Sequence, residues 1–341
     1  MNRRNVTLKD IARATGVSVN TVSRVLRNKA DIAKSTREAV LKAAQEMGHI
    51  QNIRASSLRS GVTYTIAVIL GDVANPHFAI MMSEIERYAR EKGYTTFLLS
   101  TGEDEALEMA AIQTALKQSV DGVILCPAQH STKNVEYLKE SGTPFVLIGR
   151  YFSDIPTNYV VCNDEQGGYL ATKSLLEAGH ESILFISGPA YISSARERRA
   201  GYLRAYAEAG KTPNPKLMAE VSVTAENTEG VVSRLLEEKT LFTAIFAFSD
   251  IIAWRVWNDL QNRGIRIPED VSLIGFDHIG SRLVLPVPLN SISSYKRRMS
   301  TAAVDVLIEA MTAEQSEDEG AEIQVVVNTA LAEGGSLRRQ G

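Results

Sequence analysis

Cysteine is nearly absent from this chain: two among 341 residues, Cys126 and Cys162. Both sit inside apolar runs, "GVILCP" and "YVVCN", so they read as buried reduced thiols and exclude a disulfide framework. The five histidines, His49, His77, His130, His180 and His278, have no metal-ligand spacing. No metal site and no cofactor is therefore expected. No run approaches the roughly 18 consecutive apolar residues that a membrane span needs. The opening "MNRRNVTLKD" has positive charge but no apolar stretch behind it, so a secretory signal is not expected either. Those two absences point to a cytoplasmic protein without a membrane partner. Enzyme signatures are missing as well: there is no G-x-G-x-x-G behind the first strand, no G-x-x-x-x-G-K-[ST] loop and no G-x-S-x-G elbow. No catalytic residue is assigned, and the chain is not expected to be an enzyme.

Charge is present, and unevenly placed. Residues 1–60 carry 12 Lys and Arg against 4 Asp and Glu, whereas the rest carries 25 against 36. The whole-chain value of −3 conceals a basic N-terminal module on an acidic body. Such a module suits a polyanion partner, because phosphate contacts supply most nonspecific affinity for nucleic acid.

The module has its own helical grammar. Thr7 with Asp10 has the form of a capping box, and Gly16 is a natural left-handed stop, which predicts a helix over Leu8 to Thr15. Ser18 is placed to cap a second helix in which Val22, Val25 and Leu26 make one apolar stripe against Ile11 and Ala12. Val19, Asn20, Thr21, Ser23 and Arg24 are left outside that stripe. These are groups sized to reach base edges and phosphates. Two short helices joined by a tight turn form a helix-turn-helix, whose second helix enters the major groove by its N-terminal end. A third helix is predicted from a Ser35/Glu38 capping box, with Val40, Leu41, Ala44 and Met47 as its core face and Gly48 closing it. An ordinary helical subdomain with a solvated basic face is the alternative.

From residue 64 onward, short apolar runs alternate with helical stretches. "YTIAVIL", "TTFLLS", "GVILCP", "FVLIG", "YVVCN", "SILFIS", "AIFAFS" and "VSLIGF" are strand candidates, and 77–92, 104–118, 165–178, 194–209 and 250–263 are helix candidates. Continuous apolar strands between helices indicate parallel sheets covered on both faces. The pattern through Gly149 recurs after residue 159, so the expected fold class is α/β, with a three-helix headpiece and two doubly wound parallel-sheet lobes. Open sheets of this kind bind ligands beyond the carboxyl ends of their strands. Two facing lobes would make that position a cleft.

Taken together, "TLKDIARATGVSVNTVSRVLRN", "STREAVLKAAQEMGHIQN" and "ASSLRSG" resemble the N-terminus of the lac repressor and galactose repressor family. "NPHFAIMMSEIE", "DGVILCP", "GHESILFISGP", "RERRAGYLRAY", "PEDVSLIGFDHI" and "NTALAEGGS" agree with the same family in order along the body. The resemblance implies a transcription repressor whose body is similar to periplasmic sugar-binding proteins. The resemblance implies a homodimer that binds a double-stranded, pseudo-palindromic operator under control of a small effector, a carbohydrate as in most relatives. The implied organisation is a headpiece over 1–49, a hinge over 50–62 and an effector and dimerisation domain over 63–335. Within the last, the N-lobe takes about 63–160 plus 292–322 and the C-lobe about 161–291 plus 323–335. "AEQSEDEGAE", 313–322, reads as a solvated connector between lobes. Only "SLRRQG" follows Gly335, which leaves no room for an apolar oligomerising helix.

Residue roles carry over on matching positions. Val19, Asn20 and Arg24 match base-reading positions. Thr7, Ser18, Thr21, Ser23 and Asn28 fit phosphate contacts or caps. In the hinge, Arg54 and Ala55 precede Leu58, which matches a minor-groove wedge that folds only on DNA. For the effector, the resemblance implies His77, Phe78, Arg150, Arg198, Phe246, Ser249 and Asp277, with Arg198 and Asp277 as an opposed polar pair. Phe246 and Phe78 have a core reading as the alternative, Asp277 a capping one and Arg198 a surface one. Two departures from the family stand out: the aromatic pair usual after "NP" is His then Phe, and Gly149 replaces an acidic residue that many members place before Arg150. Trp254 and Arg282 match positions at the dimer interface, with a core tryptophan as the alternative for the first. A nucleobase-type or corepressor-dependent regulator remains open, as does a solute-binding protein; the basic module and the missing signal weigh against the last.

Overall fold

The computed structural model describes residues 6–26, 32–49, 61–224, 228–282, 288–313 and 321–340. It divides into two compact units, Met1–Thr63 and Tyr64–Gly341.

In the first unit, α1 (Leu8–Thr15), α2 (Val19–Leu26) and α3 (Lys34–Glu46) bury Ile11, Ala12, Val22, Val25, Val40 and Ala44 in one small core. The predicted capping box is present: Thr7 donates both its backbone N–H (2.9 Å) and its hydroxyl (2.7 Å) to the Asp10 carboxylate. Gly16 ends α1 at φ 68°, a left-handed value that glycine adopts without a Cβ clash. The Ser35/Glu38 box does not form, because α3 starts two residues earlier than a Ser35 cap would set it, with Ala33 at its cap and Ser35 already inside the helix. Leu41, assigned to the core face, is instead exposed.

The second unit contains two six-stranded sheets. One comprises β1 (Thr65–Leu70), β2 (Thr95–Ser100), β3 (Gly122–Leu125), β4 (Phe145–Ile148), β5 (Tyr159–Cys162) and β11 (Gln324–Val327), in the order β11-β5-β4-β3-β1-β2 and parallel throughout. The other comprises β6 (Ile183–Ser187), β7 (Met218–Glu220), β8 (Ala244–Ala247), β9 (Ser272–Asp277), β10 (Asn290–Ser293) and β12 (Ala330–Ala332), in the order β12-β10-β9-β8-β6-β7. Only β12 runs antiparallel, against β10. The inner strands are buried on both faces, as their unbroken apolar sequences require, while β2 and β11, at the two edges of the first sheet, turn residues toward solvent.

Helices α4 (Pro76–Glu91), α5 (Glu105–Lys117), α6 (Lys133–Glu140) and α11 (Lys296–Ala313) cover the first sheet. The second is covered by α7 (Asp164–Glu177), α8 (Ser193–Glu208), α9 (Thr228–Glu237) and α10 (Asp250–Asn262). The chain changes lobe after β5, after β10 and after β11. The sequence-based lobe boundaries thus move: β5 through Cys162 and β11 through Val327 belong to the first lobe, and β10 through Ser293 to the second. "QVVV" is drawn into the first sheet because it completes the parallel ladder on β5, Gln324 to Tyr159 through Val327 to Cys162. The body also extends past residue 335. Ser336 is buried, donates to Leu273 O and accepts from Asn290 N, and Gln340 N donates to Ala178 O.

Candidate functional site

The first unit presents the N-terminus of α2. Ser18 caps it by accepting from Thr21 N at 3.0 Å, with the two hydroxyls 2.8 Å apart. Val19, Asn20 and Arg24 are exposed, Thr21 and Ser23 half-buried, and Val22 and Val25 point into the core. Thr7 is exposed at the start of α1, fixed by Asp10. Asn28, Arg54, Ala55 and Leu58 lie outside the described residues.

The second unit has a cleft at the carboxyl ends of both sheets. From the first lobe, Asn75 caps α4 by accepting from His77 N (3.0 Å) and Pro76 takes the first helical position. This sets the His77 and Phe78 rings in an edge-to-face pair with centroids 5.2 Å apart. Beyond β2, Glu103 adopts φ 64°, and its carboxylate grips Arg150 bidentately, at 2.6 and 3.0 Å. Arg150 also donates to Pro127 O at 2.9 Å. Gly149, φ 75°, lines the same cavity.

From the second lobe come Arg198 and Asp277. Arg198 projects from α8 and donates through Nε to Asp164 Oδ1 at 2.7 Å and through Nη1 to Phe248 O at 2.5 Å. Its guanidinium lies over the rings of Phe276, 3.5 Å to the centroid, and Phe248, 4.4 Å. Its Nη2 makes no hydrogen bond among the described residues. Asp277 closes β9 at φ 102°, a strained left-handed value for a residue with a side chain. The buried Lys296 ammonium holds that turn by donating to Asp277 O and to His278 O. Ser249 lines the cavity and caps α10 by accepting from Ile252 N.

Burial governs the electrostatics. The Asp277 carboxyl is pushed up to about 6 by desolvation, against the pull of Arg198 and Lys296. His77 is held well below its ordinary value by burial first, then by Lys296, Arg198 and Arg150, so it is neutral at pH 7. His77 Nδ1 stands 3.2 Å from Asp277 Oδ1 across the cleft, without hydrogen-bond alignment. Burial likewise pushes the Cys126 thiol in the cavity wall up to about 12, leaving it an inert neutral surface.

The two lobes are drawn together beside this pair. Gln129 Oε1 accepts from Ser193 N (3.0 Å), Gln129 Nε2 donates to Tyr151 O (2.7 Å), and Tyr151 OH donates to Glu197 at 2.5 Å.

His77, Phe78, Arg150, Arg198, Ser249 and Asp277 therefore line one cavity. Phe246 does not. It is fully buried in the middle of β8, stacked on Phe185, and Phe248, just past the strand end, is the ring that faces the cavity. Arg198 and Asp277 both line the cavity, and the ion-pair partner of Arg198 within its own lobe is Asp164. Asp164, Glu103, Asn75, Phe248 and Lys296 escaped sequence reading. Glu103 and Asp164 each follow a strand end, the position that the open-sheet rule marks. Trp254 is half-buried at the outer rim of the cleft, and Arg282 folds back on the buried Glu84 of α4.

Comparison with known proteins decides the family. Residues 63–330 match the profile of periplasmic binding proteins and the sugar-binding domain of the LacI family, and residues 7–52 match bacterial regulatory proteins of the lacI family. The chain belongs to the LacI family. It is 33% identical over 305 residues to the HTH-type transcriptional repressor PurR of Aliivibrio salmonicida, covering 89% of this chain and 91% of that one. The transcriptional regulator CelR in complex with cellobiose is similar at a TM-score of 0.72 and 26% identity, over 97% of this chain and 100% of that one. The lac repressor dimer bound to operator and the anti-inducer ONPF shares the fold, at a TM-score of 0.82 and 23% identity over 98% and 99%. As a LacI-family member the chain is a DNA-binding transcription regulator with a separate effector-binding domain, and not an enzyme. Among the described residues, no helix is long and apolar enough to cross a membrane, and no grouping of His, Cys, Asp and Glu is suited to a metal ion.

Proposed function

We propose that this LacI-family regulator is a cytoplasmic repressor of carbohydrate-utilisation genes. It binds a pseudo-palindromic operator as a homodimer, with Arg282 at the dimer interface, and is released from DNA by a neutral, hydroxyl-rich effector. The observation that carries the effector class is the charge balance of the cleft. Both guanidinium groups already hold a carboxylate, Arg150 on Glu103 and Arg198 on Asp164, and Asp277 adds a further negative charge. Among the described residues lining this cavity, an anionic ligand would meet no cation without a carboxylate partner. A sugar offers what is wanted: hydroxyl donors for Asp277, hydroxyl acceptors for Arg198 Nη2, and an apolar ring face for Phe78 and Phe248. The CelR–cellobiose complex supports the same class, and the naming of PurR as a repressor supports the sign.

On DNA, Asn20, Val19 and Arg24 would meet base edges while Thr7, Ser18, Thr21 and Ser23 engage phosphates. A nucleobase-type corepressor is the second reading, favoured by the His77–Phe78 pair, which offers a ring face and, on a neutral imidazole, one donor and one acceptor. Thermal-shift screening of saccharides beside nucleobases and nucleosides separates the two. A stabilising saccharide whose effect is lost in Asp277→Ala supports the first reading, and stabilisation by nucleobases alone overturns it.

A further inference from the structure

The cavity between Arg198 and Asp277 is small, about 60 Å³, and a second chamber of about 470 Å³ adjoins it. The two have Asn75, Phe78, Glu103 and Val223 in common among their lining residues, so they lie side by side. A single ordered water needs about 10–15 Å³ of such space. The inner room therefore accommodates at most one ring's worth of polar groups, and anything larger must extend outward.

The outer chamber has the surfaces of a ligand subsite. Trp254 forms part of its wall beside Ile251, with Asp72, Arg255 and Asn258 supplying polar groups around them. Trp254 is backed by Trp257, centroids 5.2 Å apart and planes 30° apart, which fixes the indole plane. Its Nε1–H is buried with no hydrogen-bond partner among the described residues. A buried indole donor ordinarily finds an acceptor. Here the indole borders the chamber while its donor is shut off from it, and an aromatic surface of this kind suits the apolar face of a second sugar ring.

We infer that the effector is a two-ring neutral saccharide, one ring held between Arg198 and Asp277 and the other packed on Trp254. This rests on the carbohydrate reading above and narrows it from sugars in general to disaccharides. It also gives Trp254 a role other than the dimer contact that its sequence position suggests.

The chain contains only Trp254 and Trp257, so in a full-length Trp257→Phe variant all tryptophan emission comes from Trp254. Calorimetry and emission spectra are recorded with cellobiose, maltose, lactose, sucrose and trehalose, and with their constituent glucose, galactose and fructose. At least one disaccharide is expected to bind about tenfold or more tighter than either of its rings and to shift the Trp254 emission. Trp254→Ala should remove that margin, weakening the disaccharide by about tenfold while leaving the single rings within about threefold. Trp254→Phe, which keeps a smaller ring, should fall between, and covers the case in which the alanine variant fails to fold. Sedimentation of each variant should show an unchanged assembly. Single rings that bind as tightly as disaccharides would overturn the inference alone, as would a Trp254→Ala protein that turns monomeric with its disaccharide affinity intact. Failure of every saccharide to bind would overturn the carbohydrate reading itself, and this inference with it.

Discussion

Replacing Asp164 with alanine would strip Arg198 of its carboxylate inside the second lobe. The two side chains are 3% and 7% exposed and meet at 2.7 Å, so the guanidinium would stay buried with one carbonyl contact and two ring faces. Those remaining contacts exist in the wild type too, and therefore offset nothing. Breaking a buried pair by removing one member costs about 3–5 kcal/mol. Asp277, the second carboxylate felt by Arg198, relieves part of this and places the loss near the lower end, about 3 kcal/mol. Against a typical stability of about 5–15 kcal/mol that is a large fraction. Urea unfolding followed by tryptophan emission reports the right lobe, because Trp254 and Trp257 both lie on α10. Asp164→Ala combined with Arg198→Met, which keeps volume and removes the charge, should recover much of the loss, and the cycle of the three variants yields the coupling. A single-variant loss below about 1 kcal/mol, or a double variant no more stable than the single, would refute the claim that this pair anchors the cleft.

A Cβ added at Gly168 would sit 2.2 Å from Arg198 O. Gly168→Ala should therefore push α7 from α8, destabilise by about 1–3 kcal/mol in urea, and weaken effector binding by displacing Arg198. The Asp277 carboxyl, raised to about 6 from an ordinary 3.8, makes two opposite pH trends. Its contribution to stability is present below 3.8 and lost as pH rises through 6. Effector affinity, which needs the ionised acceptor, should instead rise from pH 5 to 7 in calorimetry, and Asp277→Asn should flatten that rise. In anisotropy titrations, Arg24→Ala should lose about 1–3 kcal/mol on the cognate operator and relax preference at one base pair, whereas Lys9→Ala weakens all duplexes alike. Equal loss on specific and random DNA for Arg24→Ala would remove it from the base-reading set.

The parts legible in the sequence were those written in short-range patterns. Thr7, Asp10 and Gly16 delimit α1 because caps act within a few residues, and the eight apolar runs became strands because a parallel sheet buries both faces. That same two-sided burial hid the direction of Phe246. In β8 every residue is buried, so no polar alternation distinguishes a side chain facing the helices from one facing the ligand. Only past the strand end does the chain reach the cavity, with Phe248. Asp164 and Lys296 were illegible for a different reason. Each acts through a contact more than fifteen residues distant, on Arg198 and on the Asp277 turn respectively, and nothing local marks the partner. β11 joined the first lobe on a parallel pairing with β5, across more than 150 residues, that a four-residue run cannot announce.

The central claim is that a ligand held at Asp277 alters the affinity of the headpiece for its operator. The direct test measures binding of full-length protein to a duplex selected from a random pool, with and without the saccharide found by calorimetry, for wild type and Asp277→Ala. Coupling of this kind is typically about 1–3 kcal/mol, so wild-type affinity should fall roughly 5- to 150-fold on saturation. Asp277→Ala should bind the same duplex within about threefold of wild type and show no change at that saccharide concentration. A wild-type affinity unmoved by a ligand that calorimetry shows bound, or an Asp277→Ala protein released at the wild-type concentration, would contradict the account.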